Sequence, residues 1–205
     1  MGRLLRALFG RSNIDEIWGQ IARDLGGRFE EGDFFRSDVL RYRSGEWEIT
    51  LDTYYRQQGK VRVLYTRMRA PFVNKDGFYF EIYREGIFSP VGRFLGMQDV
   101  EIGDTFFDEE FVIKGNDETK LRRLFADETL KDLIRAQPEI ELQIKDDEGW
   151  FGATFPEGVD ELYFECRKAL DDERLVRSLF DLFTATLERL VQIDSAYADD
   201  PEVTL

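Results

Sequence analysis

The sequence predicts an α+β protein: two antiparallel β-meanders, of four and three strands, packed with an N-terminal helix, a central helix and a long C-terminal helix. Three observations predict it. Apolar and polar residues alternate through most of residues 39–82 and again through 139–164, the period of half-buried strands. Apolar residues recur at helical spacing around Ile17, Leu124 and Leu182. Between the two alternating regions, in residues 99–136, the period changes from two to about 3.6, where Phe111, Val112 and Ile113 give way at Gly115-Asn116 to Leu121, Leu124 and Phe125.

Residues 1–12 form a basic amphipathic segment, with Leu4, Leu5, Leu8 and Phe9 on one side of a short helix and Arg3, Arg6 and Arg11 elsewhere. Such a segment leaves open two roles for residues 1–11, a weak peripheral membrane contact or packing on the protein's own domain. A single α+β domain is expected over 13–194. Asn13-Ile14-Asp15-Glu16 has the form of a capping box, and Ile14, Ile17, Trp18, Ile21 and Leu25 follow at helical spacing until Gly26-Gly27.

Four strands come next. Turns are expected at Ser44-Gly45, at Gln57-Gln58-Gly59 and at Asn74–Gly77, which separate strands carrying Leu40, Ile49, Val63 and Phe80. Residues 85–103 are glycine-rich yet apolar. Ile87, Phe88, Phe94, Leu95 and Met97 are therefore candidates to cover the core or to dock a partner. Asn116 or Asp117 is placed to cap the central helix, which pauses near Asp127 and resumes to Arg135 before Gln137-Pro138. The second meander runs through Ile140–Ile144, through Trp150–Phe155 and through Leu162–Phe164. Asp171 or Asp172 then caps a helix of about 22 residues, about 33 Å long. Residues 195–205 read as a mobile acidic tail.

Composition excludes more than it selects. There are 28 basic and 42 acidic residues, a net charge of −14, which repels phosphate backbones, so no nucleic-acid partner is expected. The chain has no histidine, which removes Ser-His-Asp and Cys-His catalysis and imidazole metal ligation. A lone cysteine, Cys166, forbids an internal disulfide and fits a reducing, cytoplasmic setting. Residues 99–110 place Asp99, Glu101 and Glu110 at the first, third and twelfth positions of a calcium-loop frame. Asp104 then stands where the frame requires glycine, so no metal is expected there and no cofactor elsewhere.

Charge is unevenly spread. Residues 36–69 hold eight basic and four acidic side chains, whereas residues 99–118 hold one basic and eight acidic. Arg67 and Arg69 share a strand face, with Arg62 joining from a neighbouring strand. They can receive an anion, or pair across the sheet with Glu48, Asp52 or Glu81.

YTRMRAPF, GDTFFDEEFVIKGND and the following helix with Leu121, Leu124 and Phe125 resemble a bacterial domain family of unknown function, over about Glu46 to Leu190. Some members of that family are tethered to membranes. The resemblance implies no catalytic residues. What remains is a non-enzymatic intracellular binding or adaptor protein for an unknown protein partner. The alternative is a lipid or small-molecule binding module with a cavity between the sheet and the C-terminal helix.

Overall fold

The computed structural model describes residues 13–32, 37–86, 98–146 and 155–205. The segment 1–12 and the loop residues Ile87, Phe88, Phe94, Leu95 and Met97 lie outside the described residues, as does most of the expected strand at 150–155.

The described chain is α+β. In order it forms helix α1 (Asn13–Leu25), strands β1 (Arg28–Glu30), β2 (Val39–Ser44), β3 (Trp47–Gln58), β4 (Val61–Val73), β5 (Phe80–Arg84) and β6 (Gln98–Asp99), and helix α2 (Thr105–Glu110). Strand β7 (Phe111–Gly115), helices α3 (Glu118–Leu124) and α4 (Glu128–Arg135), strands β8 (Glu141–Lys145) and β9 (Val159–Cys166) and helix α5 (Glu173–Gln192) follow. The nine strands make one sheet in the order β1-β2-β3-β4-β9-β8-β5-β7-β6, with every pairing antiparallel.

The two expected groups of strands thus fuse into one layer, and the join is β4 with β9, from Thr66↔Cys166 to Val73↔Val159. Strand β5 sits in the second half, between β8 and β7, rather than beside β4. Consecutive strands usually pair, and here the turn at Asn74–Gly77 prevents it. The Asn74 carboxamide accepts from the backbone N–H groups of Asp76 and Gly77 and donates to the Phe78 carbonyl and to Asp160 of β9. The turn is therefore anchored to β9, and the chain is carried past it.

The helices end and begin where short polar side chains satisfy backbone groups. Helix α1 stops at Gly26, which has φ +72°, and the Gly27 N–H returns to the Ala22 carbonyl at 2.8 Å. Of the expected caps, Asp117 starts α3 and Asp172 starts α5, each accepting from first-turn N–H groups. Asn116 instead accepts from the Tyr79 N–H and donates to the Gly77 carbonyl, which ties β7 to the start of β5. The expected pause near Asp127 is a full break, since Asp127 caps α4 as a separate helix. The acidic stretch of residues 99–110 contains α2, capped by Asp104.

One face of the sheet carries the core. The row Leu40, Leu51, Met68, Phe164, Leu142, Ile82 and Ile113 runs across seven strands in register and is buried. Trp18 and Ile21 of α1, Leu121 and Leu124 of α3, Leu130 and Ile134 of α4, and the apolar stripe of α5 cover it. Helix α5 has 20 residues and spans about 30 Å. Its contact with the sheet is filled by Leu179, Phe180, Leu182, Phe183 and Leu187, all at most 2% exposed. No helix among the described residues is long and apolar enough to cross a membrane.

Candidate functional site

Because successive strand residues point to opposite faces, the row next to the core row is polar throughout. Arg41, Thr50, Arg69, Tyr163, Gln143, Glu81, Lys114 and Asp99 stand side by side across eight strands. Five of them are almost as inaccessible as the core: Thr50, Arg69, Tyr163, Gln143 and Glu81 are between 1% and 6% exposed. Polar groups at such burial are mostly hydrogen-bonded or paired, although the Thr50 hydroxyl makes no hydrogen bond with any described residue.

Two linked clusters show such pairing. In the first, Asp52 of β3 accepts from Arg67 Nε at 2.7 Å and Nη2 at 3.1 Å, and from Arg69 Nη2 at 2.7 Å. In the second, Glu165 of β9 accepts from the Tyr54 hydroxyl at 2.5 Å, the Tyr163 hydroxyl at 2.8 Å and Arg56 at 3.0 and 3.2 Å. The Arg67 guanidinium lies 5.0 Å from the Tyr54 ring centroid and so bridges the two. Lys145 Nζ sits 3.0 Å over the Tyr163 ring.

Burial pushes the Glu165 carboxyl up, but the two tyrosine hydroxyls, the Arg56 charge and Lys145 outweigh it and hold the carboxyl below the usual range. The same burial, together with the Glu165 charge, drives both tyrosines well above the ordinary phenol value. The cluster is therefore ionised at Glu165 and protonated at both tyrosines throughout neutral pH. It offers neither an acid nor a base poised near pH 7. Cys166 is buried and its thiol is pushed up to about 12, which makes it a poor nucleophile.

Arg67 and Arg69, two of the expected anion-binding residues, are thus brought together and held by Asp52. Arg62, expected on a neighbouring strand, is on the same strand β4, because the turn at Gln57-Gln58-Gly59 starts one continuous strand through Val73, and it stands apart from them. It is exposed, its guanidinium 4.7 Å from the Tyr55 ring centroid, on the part of β4 that extends beyond β9.

That extension is the second feature. β3 pairs with β2 only as far as Asp52, and β4 pairs with β9 only from Thr66. The two strands nevertheless stay paired with each other to Gln58↔Val61. Residues 54–65 therefore project as a two-stranded ribbon of about 17 Å at the usual rise per residue. On one side Tyr54 and Tyr65 stack with ring centroids 5.5 Å apart under Arg56. On the other side Tyr55 is 57% exposed. The signal for this was the length of the alternating run, 12 and 13 residues against five to eight in β5, β8 and β9.

Residues 195–205, expected to be a mobile tail, cross the strand ends in the structure. Ala196 bridges Asn74, the Tyr197 N–H reaches the Val73 carbonyl, Asp200 pairs with Arg43, and the Leu205 carbonyl accepts from Arg41. Two shallow clefts open elsewhere, one of about 270 Å³ between Asp15, Arg23 and Phe29, the other of about 460 Å³ beside Asp99, Asp108 and Glu118. Both are lined by several carboxylates. Among the described residues no three carboxylate or thiol side chains converge closely enough to hold a metal ion.

No family model matches the chain, and no curated protein does. Among solved structures, the chain is similar to the mycobacterial trehalose monomycolate transport factor A, at 13% identity. The match covers 85% of this chain and 97% of that one, with a TM-score of 0.46.

Proposed function

We propose that this is a non-enzymatic intracellular binding or adaptor protein that holds a protein partner on the projecting β3–β4 ribbon. The observation that supports this is the ribbon itself. A two-stranded hairpin is marginal when isolated, so one held out from a nine-stranded sheet, with its aromatic side chains stacked and bridged by arginine, is stiff and accessible together. The polar face behind it supports the same reading. Around Glu165 the charge of Arg56 is paired, and the carboxylate is held ionised by that charge and by two tyrosine hydroxyls, which suits a scaffold better than a reaction centre.

A photo-crosslinking residue placed at Tyr55 in cells should yield a discrete protein adduct, and the same residue at Glu128 on α4 should not. The absence of a protein adduct at Tyr55, or the same adducts at both positions, would overturn the proposal. The second reading, a lipid or small-molecule module, needs room between the sheet and α5 where Phe180, Leu182 and Phe183 lie. Native mass spectrometry tests it, with a retained small molecule as the expected result.

A further inference from the structure

The ribbon differs from the rest of the chain in charge. Residues 53–66 contain Arg56, Lys60 and Arg62 and no carboxylate, in a protein whose net charge is −14. Arg56 is committed to Glu165. Lys60 at the turn and Arg62 on β4 are exposed and make no ion pair with any described residue. Two such cations therefore mark one stretch of backbone, Val61–Tyr65, with Lys60 just before it and Arg62 within it.

That stretch is also an open strand edge. Among the described residues, β4 has β3 on one side from Val61 to Tyr65 and no strand on the other, because β9 begins to pair only at Thr66. Backbone N–H and C=O groups on such an edge can be paired by an added strand. Resting on the reading above that the ribbon is the docking element, we propose that the Val61–Tyr65 edge takes an extended acidic segment of the partner protein as an additional strand. The segment lies in line with β9, and carboxylates at alternate positions meet Arg62 and the neighbouring Lys60. Charge sets the sign of the partner, and the vacant backbone edge sets its form. A lipid surface could meet the cations but cannot supply the ladder of hydrogen bonds, and the acidic body of the protein would oppose it.

The probe is a short fluorescein-labelled peptide of alternating glutamate and valine, titrated into the full chain and followed by anisotropy. It should bind, should protect the Val61–Tyr65 amides from hydrogen exchange, and should weaken about tenfold or more in Lys60→Glu/Arg62→Glu. A peptide of alternating glutamate and proline keeps the charge but cannot form the ladder, and it should not bind. The variant's urea midpoint, unchanged from the parent's, shows that the tip substitutions leave the fold intact. Equal binding of the proline peptide, an unchanged affinity in the variant, or binding only to vesicles containing phosphatidylserine would each overturn strand addition. If Tyr55 still yields a protein adduct in cells while the glutamate-valine peptide is ignored, strand addition fails and the docking role of the ribbon stands. If neither binds, both fail.

Discussion

The Tyr54 hydroxyl donates to Glu165, 111 residues later in the chain, at 2.5 Å, and this contact is where the projecting ribbon is fastened to the body. Glu165→Gln would leave Arg56 without its counter-charge and both hydroxyls with a weaker acceptor, at a cost of about 1–3 kcal/mol by urea denaturation. The sign with pH follows from the lowered carboxyl: the stabilisation is fully present above the ordinary glutamate range and is lost as pH falls through the lowered value. The variant should lack that component. Unchanged stability in Glu165→Gln would mean that the ribbon is fastened by something else.

Asp160 behaves in the opposite way. Burial pushes its carboxyl above the usual range, although hydrogen bonds from Asn74 and Tyr79 work against the shift. An acid with a raised folded-state value binds its proton more tightly when folded, so its contribution favours folding at low pH and is lost as pH rises from the ordinary aspartate value through the raised one. Asp160→Asn should remove this negative slope of stability with pH. Denaturation of both proteins across the acid range measures it, and parallel curves would refute it.

Gly27 is required by a close approach rather than by its dihedral angles. A Cβ there would lie 2.4 Å from the Arg41 carbonyl oxygen of β2, a backbone atom that moves only with its strand. Gly27→Ala should cost about 1–3 kcal/mol, the usual penalty of overpacking. Gly59→Ala, with open space around its Cβ but φ +61°, is a comparison that carries the dihedral strain alone.

Thr66 is fully buried; its hydroxyl donates to the Lys168 carbonyl at 2.7 Å and accepts from the Leu170 N–H at 3.1 Å. The Trp18 indole of α1 donates to the Leu170 carbonyl. Thr66→Val keeps the shape and strands both backbone groups, so it should cost about 1–3 kcal/mol, read as a lower urea midpoint. A neutral result would show that water replaces the hydroxyl.

Much of the fold was legible because it is written locally. The helical stripe of α5, the Gly26-Gly27 stop and the caps at Asp117 and Asp172 depend on residues within four or five positions of one another. What was illegible depends on register between distant strands. Nothing local places Arg69 beside Tyr163 or Gln143 beside Glu81, so the continuous polar row is not readable, although the sequence does offer Asp52 and Glu81 as partners for the arginines. The ribbon lay between these extremes. Its basic residues and tyrosines were visible, but its projection depends on β2 and β9 being shorter than the strands they flank.

A ribosome delivers the middle of this sheet last. The central strand, Val159–Cys166, is the last to emerge, after all eight others. Until then the nascent polypeptide holds two separate slabs whose facing borders, β4 and β8, await the same insert. Closure of the sheet thus waits for β9, and a chain cut short before Cys166 leaves borders that neighbouring chains can pair with instead.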